Sequence, residues 1–330
     1  MLGINIIPNR HKSIPKKNMV IFGNCHFQEI QRNIIQYNEI RKNYLPYYIC
    51  INGYVGNSLG PKTSNEGKKN FTQDHIELFK KADIFIYQNI ESDRGFLNNK
   101  EVLKLVPSNC IKIKIPHYRT SIYHYSWYKN PYFDEMKKQI NLEKTQINKI
   151  VKIKKYIKNI NETTQDIKLF DEFIEKEVDD FKNVNNSSDI NMYDFFISNW
   201  KNKKLFMGRG YPSSYFIFIL TKKILEKINI FENLQFETMI NNRTSYPRYF
   251  GLNTDFPIFK FWYDYNNFTF DKQYYWELKI PMFDYEFYYL QINIINKFSK
   301  EEAFSGVVFI RDKFKALEEV KKLRNIINNT

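Results

Sequence analysis

Cys25 is the residue in this chain best placed for chemistry. A short apolar run, Met19 to Phe22, stops at Gly23-Asn24, and Phe27, Ile30 and Ile34 then follow at helical spacing. That pattern predicts a buried strand, a tight turn and an amphipathic helix with Cys25 at its start. A helix start gathers free N–H groups and the positive end of the dipole, so it stabilises a thiolate or an oxyanion, or holds a phosphate. A cysteine so placed can have its pKa lowered. The alternative is a buried structural cysteine, a common environment for this residue type.

Other reactive side chains fall in two further stretches. Residues 117–133 carry His117, Tyr118, Arg119, Tyr123, His124, Tyr125, Trp127 and Tyr128, and two of the five histidines in the chain lie there. An imidazole can accept a hydroxyl proton, arginine can fork onto phosphate, and aromatic rings can stack on a sugar or an adenine. The same stretch can also be the lid of a core. Farther on, Gly208-Arg209-Gly210-Tyr211-Pro212-Ser213 precedes a helical pattern from Tyr215 to Ile228. Its glycines permit close backbone approach, Pro212 suits a helix start, and Arg209 beside that start is suited to a phosphate or a carboxylate.

These residues need a frame. Apolar runs at Tyr47–Ile51, Ala82–Gln88 and Cys110–Ile115 read as three more buried strands, and Phe71–Lys81 reads as a helix. Residues 54–70, with Gly56, Gly60, Pro61 and Gly67, read as a long loop. Strands alternating with helices predict an α/β fold with a parallel sheet, whose ligands gather beyond the carboxyl ends of the strands. The Cys25 turn, the Gly53 loop, Gln88-Asn89 and 116–119 then share one rim. Residues 134–190 read as a helical insertion with apolar Ile147, Ile150, Val151, Tyr156, Ile157 and Ile160 and a basic face of Lys149, Lys152, Lys155 and Lys158. That basic face suits solvent first, and a phosphate or a peripheral membrane contact second. The expected division is an N-terminal extension 1–18, a core 19–230 containing the insertion, and an aromatic-rich α+β region 231–330 ending in a helix from Arg311 to Asn328.

Composition narrows the classes. Fifty Lys and Arg against 36 Asp and Glu give a formal charge of +14, which favours anionic partners. A Lys-, Asn-, Ile- and Tyr-rich composition accounts for part of that excess, and no zinc-finger or single-stranded RNA motif argues for nucleic acid. Three cysteines without metal-ligand or disulfide-framework spacing point to a reducing, cytoplasmic setting and to no metal centre. No apolar run approaches the roughly 20 residues of a membrane span. No period of 20 to 50 residues is visible, against a repeat protein.

Taken in order, these blocks resemble the WcbI-like acetyltransferases of capsular polysaccharide biosynthesis, relatives of the SGNH/GDSL-hydrolase-like folds. The resemblance covers about residues 19–228. It rests on the strand before Gly23-Asn24-Cys25, Ala82-Asp83-Ile84-Phe85-Ile86-Tyr87-Gln88, Ile115-Pro116-His117 leading to Tyr123-His124, Asp194-Phe195-Phe196-Ile197 before Leu205-Phe206, and Tyr211-Pro212-Ser213. It implies an SGNH-like core that binds coenzyme A or acetyl-CoA and transfers an acetyl group to the hydroxyl of a carbohydrate acceptor. In that reading Cys25 is a nucleophile, or its turn supplies oxyanion donors while a histidine activates the acceptor. His124 is then the base with His26 as substitute, and Gln88 donates to the oxyanion. Asn24, His117, Arg119, Arg209, Tyr211 and Ser213 are the candidates for holding the coenzyme.

Two departures bear on activity. The family usually has glutamine where this chain has His26, and histidine where it has Tyr211. No histidine follows His124, so the late catalytic histidine of SGNH hydrolases has no counterpart. The rival reading is a non-catalytic protein that keeps the same turns to bind a glycan or a nucleotide.

Overall fold

The computed structural model describes residues 16–51, 54, 70–90, 95–123, 142, 146–162, 167–207, 211–238, 258, 260–270, 274–275, 280–281, 322 and 325. The described residues fall into two compact units. One draws on Met1–Tyr118, Phe181–Phe196 and Pro212–Phe250, the other on Arg119–Asp180, Ile197–Tyr211 and Gly251–Thr330. The chain leaves the first unit after Tyr118 and re-enters it at Phe181, within the helix Ile167–Asn186.

The first unit is built on β1 (Lys17–Gly23), α1 (Cys25–Ile34), α2 (Asn38–Asn43), β2 (Tyr44–Cys50), α3 (Gln73–Lys80), β3 (Ile84–Gln88), α4 (Asn99–Leu103) and β4 (Ile111–Ile115). The four strands form one parallel sheet in the order β2-β1-β3-β4, with Gly23 opposite Cys50 and Phe22 opposite Tyr87. The α/β parallel-sheet fold read from the sequence is therefore present. β1 is apolar on both sides because both faces of the sheet are covered. On one face Val20 and Phe22 join Phe71, Phe79 and Phe85, with the Phe22 and Phe79 rings edge to face at 5.7 Å. Met19, Ile21 and Gly23 alternate with them onto the other face.

Glycine at position 23 is a packing requirement. A Cβ there would overlap the Phe27 ring, which is 2% exposed and lies against the strand end. Gly23→Ala is expected to cost about 1–3 kcal/mol through overpacking, read as a lower urea midpoint at unchanged m-value.

A helix from Ser214 to Lys227, here α8, packs beside α1 in the same unit, and Asn33 Nδ2 donates to Thr221 Oγ1 across them at 3.4 Å. Between β4 and α8 the chain forms α5 (Gln146–Glu162), α6 (Ile167–Asn186) and α7 (Tyr193–Asn199). The helical character expected for much of 134–190 is thus present in α5 and α6. The stripe assigned on α5 needs correction at one position. Val151 is 58% exposed, whereas Ile153, outside the expected stripe, is fully buried. The α5 side chains of Ile147, Ile150, Tyr156, Ile157 and Ile160 lie outside the described residues.

In the second unit Trp262, from α9 (Lys260–Tyr265), donates from Nε1 to the Ile122 carbonyl at 2.8 Å and meets Phe170 edge to face. Tyr123 is buried there as well. Its hydroxyl serves the Trp200 and Lys203 carbonyls at 2.8 and 3.0 Å and accepts from the Leu205 N–H at 3.1 Å. In the first unit Tyr118 is likewise buried, its hydroxyl on the Ile190 carbonyl at 3.0 Å and its ring stacked on Phe181. Both tyrosines, read above as possible stacking groups, are core residues. Among the described residues no helix is long and apolar enough to cross a membrane.

Candidate active site

The order β2-β1-β3-β4 places the chain reversal between β1 and β3. In open α/β sheets the ligand crevice lies beyond the carboxyl ends of the strands at such a reversal. The Gly-Asn-Cys turn sits there. Asn24 is the N-cap of α1, its side chain accepting the His26 N–H at 3.0 Å and its carbonyl the Phe27 N–H at 3.0 Å. Ser, Asp or Asn is preferred at such a position because it satisfies a donor the helix leaves open, worth about 0.5–2 kcal/mol. Its own N–H donates to Gln88 Oε1 at 2.9 Å, which ties the end of β1 to the end of β3. From β2 the buried Tyr48 hydroxyl donates to the Asn24 carbonyl at 2.8 Å. Three strand ends therefore fix this turn before any ligand arrives.

These bonds assign roles to two candidates. Asn24 is engaged through its side-chain oxygen and its backbone, so it shapes the turn. Gln88 accepts through Oε1, which leaves its amide N–H pair as the donor end; among the described residues no acceptor takes it. The donor role expected of Gln88 is compatible with that orientation.

Burial decides the state of Cys25. The thiol is half-buried and lies against the Cys25 and His26 N–H groups, which lower its pKa as the helix-start argument expects. Desolvation outweighs them, the neighbouring Cys50 thiol adds to the rise, and the pKa is pushed from 9.0 up to about 12. The expectation of a lowered pKa is therefore corrected. Cys25 is a neutral thiol, and the position at a helix start was outweighed by removal from water.

The site also gathers imidazoles. His26, 7% exposed in the first turn of α1, and His117, two residues past β4, bring their rings to 4.9 Å between centroids at 49°. They come from opposite sides of β3 and so flank Gln88 in the strand order. His26 was expected only as a substitute base and His117 only as a coenzyme contact; their pairing was not read from the sequence. The signal available was the sheet order, since two residues just beyond β1 and β4 can meet over the end of β3.

The remaining candidates separate. Ser213 is the N-cap of α8, its hydroxyl accepting the Phe216 N–H at 3.2 Å, so it completes a helix end. Arg119 is exposed and belongs to the second unit. His124, Arg209 with its flanking glycines, the side chain of Tyr211, the Gly53 loop and nearly all of 54–70 lie outside the described residues, as does nearly all of 311–328. Among the described residues no group of three or more His, Cys, Asp or Glu gathers.

No known protein-family profile matches the sequence, and no curated protein matches it. The fold is similar to that of WcbI, described as a polysaccharide biosynthesis enzyme, in a native form without a disulfide bond between coenzyme A and one of its cysteines. The two share 12% identity with a TM-score of 0.50, over 93% of this chain and 99% of the other. At that identity the likeness shows the fold.

Proposed function

We propose that this chain transfers an acetyl group from acetyl-CoA to a hydroxyl of a sugar or polysaccharide precursor, with His26 as the base. The observation that carries the reading is the pair of imidazoles beside the Gly-Asn-Cys turn at the chain reversal of the sheet. The likeness of the fold to WcbI, a protein described with coenzyme A, supports the choice of acyl donor.

The chemistry follows from the groups present. His26 takes the proton of the acceptor hydroxyl as the oxygen attacks the thioester carbonyl. The Gln88 amide and the Cys25 N–H at the start of α1 stabilise the oxyanion that forms. Collapse breaks the carbon–sulfur bond, and the imidazolium returns the proton to the departing coenzyme A sulfur. With its pKa near 12, Cys25 serves here as a neutral neighbour of the thioester rather than as the acyl carrier. On the sequence alone, Arg119 and Arg209 are the candidates for the coenzyme's phosphates.

Calorimetric titration with coenzyme A and acetyl-CoA tests the donor. Saturable heat is expected, with Arg209→Ala weakening binding about tenfold or more, as loss of a charge-assisted contact to phosphate should. Absence of heat and of thermal stabilisation with either compound would sink the acyl-CoA reading. The glycan- or nucleotide-binding alternative would then take its place.

A further inference from the structure

Away from the Gly-Asn-Cys turn, the first unit contains a cavity of about 170 Å³ between the end of α8 with the loop after it and the α1–α2 junction. We propose that it is a binding subsite for one neutral sugar ring. Tyr37, the residue before α2, reaches it from one side. Tyr37 is 1% exposed, and its buried hydroxyl has no hydrogen-bond partner among the described residues. Leaving such a group unpaired costs free energy, so it is a place where a ligand is gained.

The loop that forms the other wall is held in place. Asn229, at φ 62°, takes the left-handed conformation that ends α8, and the Ile230 N–H returns to the Leu225 carbonyl at 2.9 Å. The Glu232 carboxylate then accepts from Asn38 Nδ2 at 3.0 Å and from the Glu39 N–H at 3.1 Å. The cavity is therefore walled by anchored backbone. Burial, to which the charges of Glu232 and Glu226 add, pushes the Tyr37 pKa up to about 12, so it stays a donor.

The lining selects the ligand. The charged groups of the lining are Lys222, Glu226 and Glu232, and the Glu232 oxygens are already taken up by hydrogen bonds at the start of α2, which leaves Lys222 and Glu226 as the charged groups with bonding capacity to spare. A cationic ligand would suit Glu226 but oppose Lys222, and an anionic one the reverse. Tyr37 and Lys222 need acceptors, Glu226 needs donors, and Asn233 can use both. Hydroxyl groups supply both from one neutral molecule. Phe231, 73% exposed, stands at the cavity with Leu225 and Ile230 and offers an apolar wall to the C–H face of a ring. The volume is below the roughly 300 Å³ at which drug-sized pockets begin, and suits one ring. This subsite does not depend on the acyl-transfer reading.

The test is saturation-transfer NMR on the intact protein, without coenzyme A, using methyl α-D-glucopyranoside as the neutral probe. Glucosamine and glucuronate serve as its cationic and anionic counterparts. Saturable transfer from the neutral sugar is expected, weakened at least about tenfold by Phe231→Ala and by Tyr37→Phe. Phe231→Ala should keep the wild-type thermal midpoint, because that side chain is exposed. No saturable signal, an equal signal in both variants, or a response confined to the charged sugars would overturn the proposal.

Discussion

Under the proposed acyl transfer, His26→Gln is expected to lower acetyl transfer by about 10²- to 10⁴-fold, the range that general-base catalysis contributes, while coenzyme A affinity stays within about twofold. The substitution installs the residue usual at this place in the family the sequence resembles. It also keeps a side chain of similar length and a backbone N–H for the Asn24 cap. What it removes is the group able to take a proton. Retained turnover would mean that the base lies elsewhere, with His124 the next residue to replace. A pH profile separates a base from a packing residue. A base must be unprotonated to take the hydroxyl proton, so kcat/KM should fall on acidification in the wild type, and that acid limb should be absent from the residual activity of His26→Gln, which a purely structural loss would not do.

The sheet was legible because its strands are buried on both faces, and burial writes continuous apolar runs into a sequence. β1, β3 and β4 were found within two residues of their observed ends. β2 begins at Tyr44, three residues before its apolar run, because Tyr44 to Tyr47 are only half-buried and carry a weaker signal. α2, Asn38–Asn43, went unread: of its six residues only Ile40 is buried, and its start is completed by Glu232, almost two hundred positions away.

The site was legible in part for a related reason. Asn24, Cys25 and Gln88 stand at the ends of apolar runs and were found there. The His26–His117 contact depends on strand order, which no local pattern records. Tyr118 and Tyr123 misled because a tyrosine that hands its hydroxyl to a buried carbonyl has the same letter as one that stacks on a ligand. Cys25 misled because the helix start is a local feature of sequence, whereas desolvation comes from everything packed around it.

That last difference has a measurable size. The rise of the Cys25 pKa from 9.0 to about 12 lowers its thiolate fraction near neutral pH about a thousandfold relative to an unperturbed cysteine. Alkylation by iodoacetamide at pH 7.5, followed at Cys25 by peptide mass spectrometry, should be slower than for a free thiol by about ten- to a hundredfold, because the more basic thiolate is also the stronger nucleophile and offsets part of the loss. Its rate should keep climbing with pH past the point at which an ordinary cysteine levels off. The sign for stability follows from the same group. A folded pKa above the unfolded one means that the native state holds its proton more tightly, so the contribution is fully present below about 9 and is lost as pH rises toward about 12. Tyr48, whose pKa burial also raises well above its usual value, acts in the same direction at the same turn. Cys25→Ser removes the thiol and keeps a small polar side chain; under the proposed mechanism, in which the neutral thiol is not the acyl carrier, it is expected to retain acetyl transfer within about tenfold of wild type. Fast alkylation at neutral pH, or an acetylated Cys25 trapped during turnover, would reverse that assignment and return the nucleophile to the helix start.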